Sequence, residues 1–278
     1  MLFSSEPIRS RQNRTVVELA KLTDRRTREA VKLFRFDGVK LAEEAIASGA
    51  EIPQMFLRES EAETIIAALE ERTGCSLAER VGKLVCLDDG VFDRVSEEKS
   101  PEGVICVAKY IDKFQKNVTI YNDADFSELA EERIVLLEAV RDPVNIGAVI
   151  RSAAAFGVDR LIVSADCADI YHPKAVRASM GTIFRQKIDR TDRLPEVIGQ
   201  LRESGRRVFA AALDRDALRL GTFRIEKGDC VVIGNEGHGL TEQILSVCDG
   251  NVYIPMTERA ESLNAAVAAS LLMWEFSK

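Results

Sequence analysis

The sequence predicts an α/β protein built on a mainly parallel sheet flanked by helices, with a smaller α/β unit ahead of it. Three observations carry that expectation. From about residue 131 onward, short apolar, β-branched runs alternate with helical stretches, the rhythm of a parallel sheet covered on both faces. Before that point the chain mixes basic helices with a few short strands. Between the two lies a polar, poorly periodic stretch beginning at Tyr110, and 278 residues are comfortable for two domains.

In order along the chain, VVELAKL and RRTREAVKLF have helical spacing. GVKLAEEAIASG places apolar residues at Val39, Leu41, Ala42, Ala45 and Ile46 before a glycine stop, as an amphipathic helix should. IPQMFL, KLVCL and GVICVAKY read as strands, with the helix AETIIAALEERTG between the first two. In the second half RIVLLEAV, DRLIVSA, RRVFAAAL, CVVIG and NVYIPM are strand-like. The helices NIGAVIRSAAAFG, HPKAVRASMG, LPEVIGQLRESG, TEQILSVC and LNAAVAASLLMWEF fall between or after them. The resulting division is a basic helical arm over 1–35, a small α/β domain over 36–112, a linker over 113–130 and a larger domain over 131–278.

No apolar run approaches the roughly 18 residues of a membrane-spanning helix, and the first residues lack a secretory apolar core. The six cysteines are scattered without a CxxC pair and several sit in strand-like runs, which fits a reduced, cytoplasmic setting. With two histidines only, no metal is expected. The net charge is −7, yet residues 1–35 hold nine Arg and Lys against four Asp and Glu, a local +5 that leaves −12 on the rest. A basic segment on an acidic body can take phosphates locally, with Arg9, Arg11, Arg14, Arg25 and Arg26 as its candidates. Taken alone, the run reads first as the solvated face of amphipathic helices.

Three turns that follow strands carry more polar residues than chain reversal needs. The first is Asp142-Pro143-Val144-Asn145-Ile146-Gly147, leading into a helix whose single charged residue up to Gly157 is Arg151. Asp142 or Asn145 can cap that helix, and Arg151 lies at an edge or meets an anion. The second is Gly234-Asn235-Glu236-Gly237-His238-Gly239, where glycines permit close backbone approach to a ligand. Its order is not the GxGxxG of dinucleotide sites, and Glu236 disfavours a phosphate cradle. The third is Ile254-Pro255-Met256, followed by Ser262-Leu263-Asn264 and an apolar helix. Ser262 and Asn264 are both natural N-caps, and two together leave one polar group spare.

Taken in this order, DPVNIGAVIRSAAAFG (142–157), VVIGNEGHGL (231–240) and IPMTERAESLNAAVAAS (254–270) resemble the three motifs of the SpoU (TrmH) family of RNA methyltransferases, within the SPOUT superfamily. HPKAVRASMG (172–181) is similar to the family's segment between motifs, and the resemblance covers roughly residues 132–275. It implies a C-terminal trefoil-knotted α/β domain, a homodimer, and S-adenosylmethionine as cofactor. Carried over by position, Leu213, Gly234, Ile254 and Leu263 hold the cofactor with Met256 beside it. Asn145 and Arg151 face the RNA and the reacting centre, while Glu236, Ser262 and Asn264 organise the site.

The N-terminal part, with FRFDGVKLAEEAI and SPEGVICVA, is similar to the substrate-binding domain that precedes this catalytic domain in many members. Asp37 stands where the family commonly has glutamate, which keeps the charge. The resemblance implies methylation of a ribose 2′-hydroxyl, in ribosomal RNA ahead of transfer RNA. Alternatives are a transfer-RNA 2′-O-methyltransferase, a base methyltransferase of the same superfamily, and an RNA-binding protein that keeps the fold without catalysis.

Overall fold

The computed structural model describes residues 6–111, 129, 132–214, 216–235, 237–259 and 262–278. They form two compact units. One holds the described residues up to Ile111 together with Tyr171–Phe184, and the other holds the remainder. Apart from Leu129, the predicted linker lies outside the described residues.

The smaller unit contains α1 (Arg14–Lys21), α2 (Arg25–Val31), β1 (Leu33–Asp37), α3 (Val39–Ala47), β2 (Gln54–Arg58), α4 (Ala62–Thr73), α5 (Leu77–Arg80), β3 (Leu84–Leu87), α6 (Asp89–Val95) and β4 (Val104–Lys109). Its sheet runs β1-β4-β2-β3. β4 pairs antiparallel with β1 and β2, and β2 pairs parallel with β3. The first two helices start at side-chain caps, Asn13 accepting from the Thr15 N–H and Asp24 from that of Thr27.

Two expectations are corrected here. The segment read as a basic helical arm packs, over its described residues 6–35, into the smaller unit, where Val16, Leu19 and Leu22 share a core with Phe56, Val85, Leu87, Phe92 and Ile105. Arg28, counted in its positive charge, is buried and donates to the carbonyls of Leu22 and Thr23. The helix over RRTREAVKLF also stops early. Lys32 takes a left-handed conformation (φ 56°) and LFRFD becomes β1, paired along its length with β4. Pairing across the sheet outweighs the local helical spacing.

A third correction concerns 171–184, expected inside the larger domain. The helix α8 (Pro173–Ala178) and a 3₁₀ turn at Thr182–Phe184 belong to the smaller unit. Aromatic rings explain the attachment: Tyr171 lies 3.9 Å from Tyr110 and 4.5 Å from Phe34, and Phe184 lies 5.0 Å from Phe36, centroid to centroid.

The larger unit contains β5 (Ile134–Leu137), α7 (Pro143–Ala155), β6 (Arg160–Ser164), β7 (Lys187–Thr191), α9 (Leu194–Glu203), β8 (Val208–Ala211), β9 (Leu218–Arg219), β10 (Cys230–Ile233), α10 (Glu242–Val247), β11 (Gly250–Tyr253) and α11 (Ala265–Phe276). Seven strands run in the order β7-β6-β5-β10-β8-β11-β9, and every pairing is parallel. The core packs Leu136, Ile162, Val208 and Val232 from the sheet against Val197, Ile198 and Leu201 of α9 and Ile244 of α10. β7 (KIDRT) and the two-residue β9 escaped sequence reading because they are polar or too short for a pattern.

At the amino ends of the strands, Arg160 pairs with Glu132 and Asp189, and Lys187 also reaches Glu132. Arg206 donates to the carbonyls of Leu129, Glu132 and Gly228. Charge is thus paired structurally at this edge. All six cysteines are free, and burial pushes the Cys230 thiol up to about 12. Among the described residues no helix is long and apolar enough to cross a membrane, and no His, Cys, Asp or Glu cluster could hold a metal ion.

Candidate active site

Because every strand of the larger sheet points the same way, the loops after β5, β8, β10 and β11 open at one edge, where ligands of such sheets gather. The first motif starts there. Asp142 caps α7, its Oδ1 accepting from the Val144 N–H at 2.8 Å, and Pro143 takes the first turn, where a missing N–H costs nothing. With Asp142 as cap, Asn145 is released for another task. It is buried, and its Oδ1 accepts from Asn264 Nδ2 at 2.9 Å across 119 residues of chain.

Asn264 in turn caps α11, its own Oδ1 accepting from the N–H groups of Ala266 (2.9 Å) and Val267 (3.3 Å). One amide side chain therefore starts the last helix and holds the first motif. Small residues let α7 and α11 approach closely, and Ser152 Oγ lies 2.8 Å from Ser270 Oγ further along. Asn264 is the cap that the sequence left open between two candidates, and Ser262 is the one left over. Ser262 is exposed and lines the adjacent cavity.

That cavity has a volume of about 420 Å³, within the range of small-molecule sites. Ala211, Leu213, Ile254, Leu263 and Leu272 give it apolar walls, while Ser262, Thr257 and Glu258 bring polar groups. Met256 also lines it. Four of the five predicted cofactor residues, Leu213, Ile254, Met256 and Leu263, thus come together from two loops.

Gly234 is not in the lining. A side chain there would meet the Gly239 carbonyl oxygen at 2.5 Å, so the glycine is demanded by the loop's own packing. In that loop Asn235 and Gly239 exchange N–H···O bonds, and Asn235 Oδ1 accepts from the N–H groups of Gly237 and His238. Glu236, predicted to organise the site, lies outside the described residues. Arg151 is exposed on α7 and forms no salt bridge among the described residues.

Residues that sequence reasoning missed hold the second motif in place. Asn235 Nδ2 donates to the Ala139 carbonyl at 2.9 Å. The buried Glu138, next after β5, accepts from the Thr241 N–H (2.9 Å) and hydroxyl (2.7 Å). Thr241 in turn caps α10. The signal was present: one acid closing the apolar run RIVLL at a strand's carboxyl end.

The five predicted RNA-binding arginines are all exposed on the smaller unit, but their charges are not equally available. Arg9 is paired with Glu59 and Asp88, Arg14 with Glu18, and Arg25 with Glu29. Arg11 and Arg26 form no salt bridge among the described residues.

Known proteins resemble the chain along its whole length. It is 29% identical over 269 residues to the 23S rRNA (guanosine(2553)-2′-O)-methyltransferase RlmP of Bacillus subtilis, covering 96% of this chain and 97% of that one. An AdoMet-bound rRNA methyltransferase from Sinorhizobium meliloti matches with a TM-score of 0.80 at 25% identity, over 98% of this chain and 97% of the other. A solved RNA 2′-O ribose methyltransferase matches with a TM-score of 0.75 at 26% identity, over 97% of each chain. The MRM3-like substrate binding domain matches residues 13–106, which contain the helices first read as an arm. The SpoU rRNA methylase family model matches residues 132–274, more than half the chain and all three motif loops, and the chain belongs to the SpoU rRNA methylase family.

Proposed function

We propose that the protein transfers a methyl group from S-adenosylmethionine to a ribose 2′-hydroxyl of ribosomal RNA. The Asn145–Asn264 bond carries this reading, since it joins the first and third motifs beside a cavity of cofactor size. The RlmP relative and the AdoMet-bound neighbour, both matched nearly end to end, support the substrate and the cofactor.

The cavity fits that cofactor in its chemistry. Its apolar walls from Leu213, Ile254 and Leu263 suit an adenine ring, and Ser262, Thr257 and Glu258 offer partners for hydroxyl and amino groups. When bound, S-adenosylmethionine supplies an electrophilic methyl group. The chain's own residues must then orient a weak nucleophile, the ribose hydroxyl, and help it lose its proton. Holding both substrates in register can remove up to roughly 7–11 kcal/mol of barrier. A guanidinium is a poor general base, so the role given to Arg151 is to hold a neighbouring phosphate or stabilise developing negative charge. Asn145 and Asn264, fixed on each other, set the geometry between α7 and the cavity.

The same reading includes a trefoil knot, a homodimer and work in the cytoplasm. β10 inserts between β5 and β8, and α11 returns to pack on α7, an order that suits a chain threaded through itself. Val267, Leu271 and Trp274 stand exposed at helical spacing along α11, with Val144 exposed on α7, a surface that suits a second copy.

The test is transfer of labelled methyl from S-adenosylmethionine to RNA of a strain lacking the protein, followed by nucleoside analysis. A labelled 2′-O-methyl nucleoside in ribosomal RNA is expected. Label on a base would move the protein to another branch of the superfamily. Cofactor binding without transfer to any RNA would favour a binding protein.

A further inference from the structure

We propose that a groove between residues 9–12 and α6 is where the smaller unit takes the phosphate backbone of its RNA, with Arg11 and Arg94 as its two working cations. The inference rests on the RNA methyltransferase reading and adds the surface that reading lacks.

The groove has a volume of about 570 Å³ and is lined by Arg9, Ser10, Arg11, Gln12, Gly90 and Arg94, with Asp88 at one side. Residues 83 positions apart meet in it, so no run of charge in the sequence reveals it. Its three arginines are not equivalent. Arg9 donates to Asp88 at 3.2 Å and to Glu59 at 3.1 Å, and its charge is spent on holding the wall. Arg11 and Arg94 are exposed and form no salt bridge among the described residues. On a chain of net charge −7, two such cations, one on each side of the groove, are a local attraction for a polyanion.

The wall is ordered. Ile8 donates its N–H to the Cys86 carbonyl (2.9 Å) and accepts from the Asp88 N–H (3.1 Å), extending the sheet beside β3. Ser10 then accepts through its carbonyl from the Asn13 N–H (3.1 Å) and through its hydroxyl from the Gln12 N–H (3.2 Å), which fixes the turn into α1. Guanidinium groups on a fixed turn meet phosphate oxygens at little cost in ordering. Gly90 adds an independent point. A side chain there would approach nothing closer than Asp88 Oδ1 at 3.4 Å, so packing does not require glycine; its absence of side chain keeps the groove open. Arg14 and Arg25, by contrast, are engaged with Glu18 and Glu29 on their own helices and lie outside this lining.

The experiment compares the full-length protein with the double variant Arg11→Ala/Arg94→Ala and, as control, Lys83→Ala, an exposed cation of the smaller unit outside the groove lining. Binding to in vitro transcribed, unmodified 23S ribosomal RNA is measured over a range of salt, with methyl transfer and thermal melting on the same samples. The double variant is expected to bind roughly 10-fold more weakly near 0.1 M salt, with a log–log salt slope smaller by about 1.4–1.8. Its KM for RNA should rise while kcat at saturating RNA, cofactor affinity and melting temperature stay unchanged, and Lys83→Ala should match the wild type. Unchanged binding and slope in the double variant, with the wild type methylating RNA normally, would overturn the groove and leave the enzyme reading standing. It would also direct attention to an acidic protein segment as the groove's occupant. A wild type that methylates no RNA would overturn both.

Discussion

Asn264 concentrates two duties in one side chain. Its Oδ1 satisfies two amide groups at the start of α11 while its Nδ2 serves Asn145. Removing a cap of this kind costs about 1 kcal/mol, and losing the donor to a buried acceptor adds on the order of another 1 kcal/mol. Asn264→Ala should therefore lower the melting temperature by about 2–8 °C. It should also reduce turnover well beyond what that destabilisation explains, which assays far below the melting point would separate. Arg151 predicts the opposite pattern. It is exposed and unpaired among the described residues, so Arg151→Ala should leave melting unchanged while turnover falls roughly 100-fold. Near-normal turnover at saturating RNA would remove Arg151 from the reaction.

Among the elements, α11 couples most of the site's parts. Its first residue follows the Asn264 cap, its inner face meets α7, and Leu272 reaches the cavity. Its outer face leaves Val267, Leu271 and Trp274 between 40% and 52% exposed, an apolar stripe that water disfavours by about 25 cal/mol per Å². If the proposed dimer forms through this stripe, Trp274→Glu should shift the protein to monomer in sedimentation, with activity falling in parallel. A monomeric wild type would remove the dimer from the proposal. The glycine-rich loop illustrates a separate point about elements. Gly234 looks like a ligand-facing glycine in the sequence, yet the carbonyl of Gly239 occupies the space a side chain would need.

At the scale of the whole molecule, the larger unit divides labour between the two edges of its sheet. Its carboxyl edge holds the motif loops. Its amino edge is tied by the Arg160–Glu132–Lys187 cluster, with Asp189 on the far side of Arg160. Desolvation works against ionised Glu132, but the hydrogen bonds and charges of Arg160 and Lys187 outweigh it and hold the carboxyl below its ordinary range. A carboxyl lowered on folding contributes stability above its unfolded value, about 4.3, and that contribution is lost as pH falls through the folded value. Wild type should therefore melt higher than Glu132→Gln near pH 7, and the gap should narrow below about pH 4. An equal gap at pH 7 and pH 3.5 would show that the charge of Glu132 does not carry the effect.

The sequence by itself determined the alternation of strands and helices, and with it the parallel sheet, because apolar periodicity is a local property that burial imposes on each element. Through the family resemblance it also brought Leu213, Gly234, Ile254, Met256 and Leu263 forward as cofactor candidates, and all of them but Gly234 line one cavity. What it left open was which of two chemically equivalent groups does which task. Asp142 or Asn145, Ser262 or Asn264, could each cap a helix. Tertiary placement alone decided that Asp142 and Asn264 do, which leaves Asn145 buried against Asn264 and Ser262 at the cavity. Tertiary structure also drew the first helices into a core, returned 171–184 to the smaller unit, and paired Arg9 of the basic segment with the distant carboxylates of Glu59 and Asp88. A sequence lists charges and caps one by one, whereas their partners are fixed by contacts between residues that lie as far apart as 119 positions.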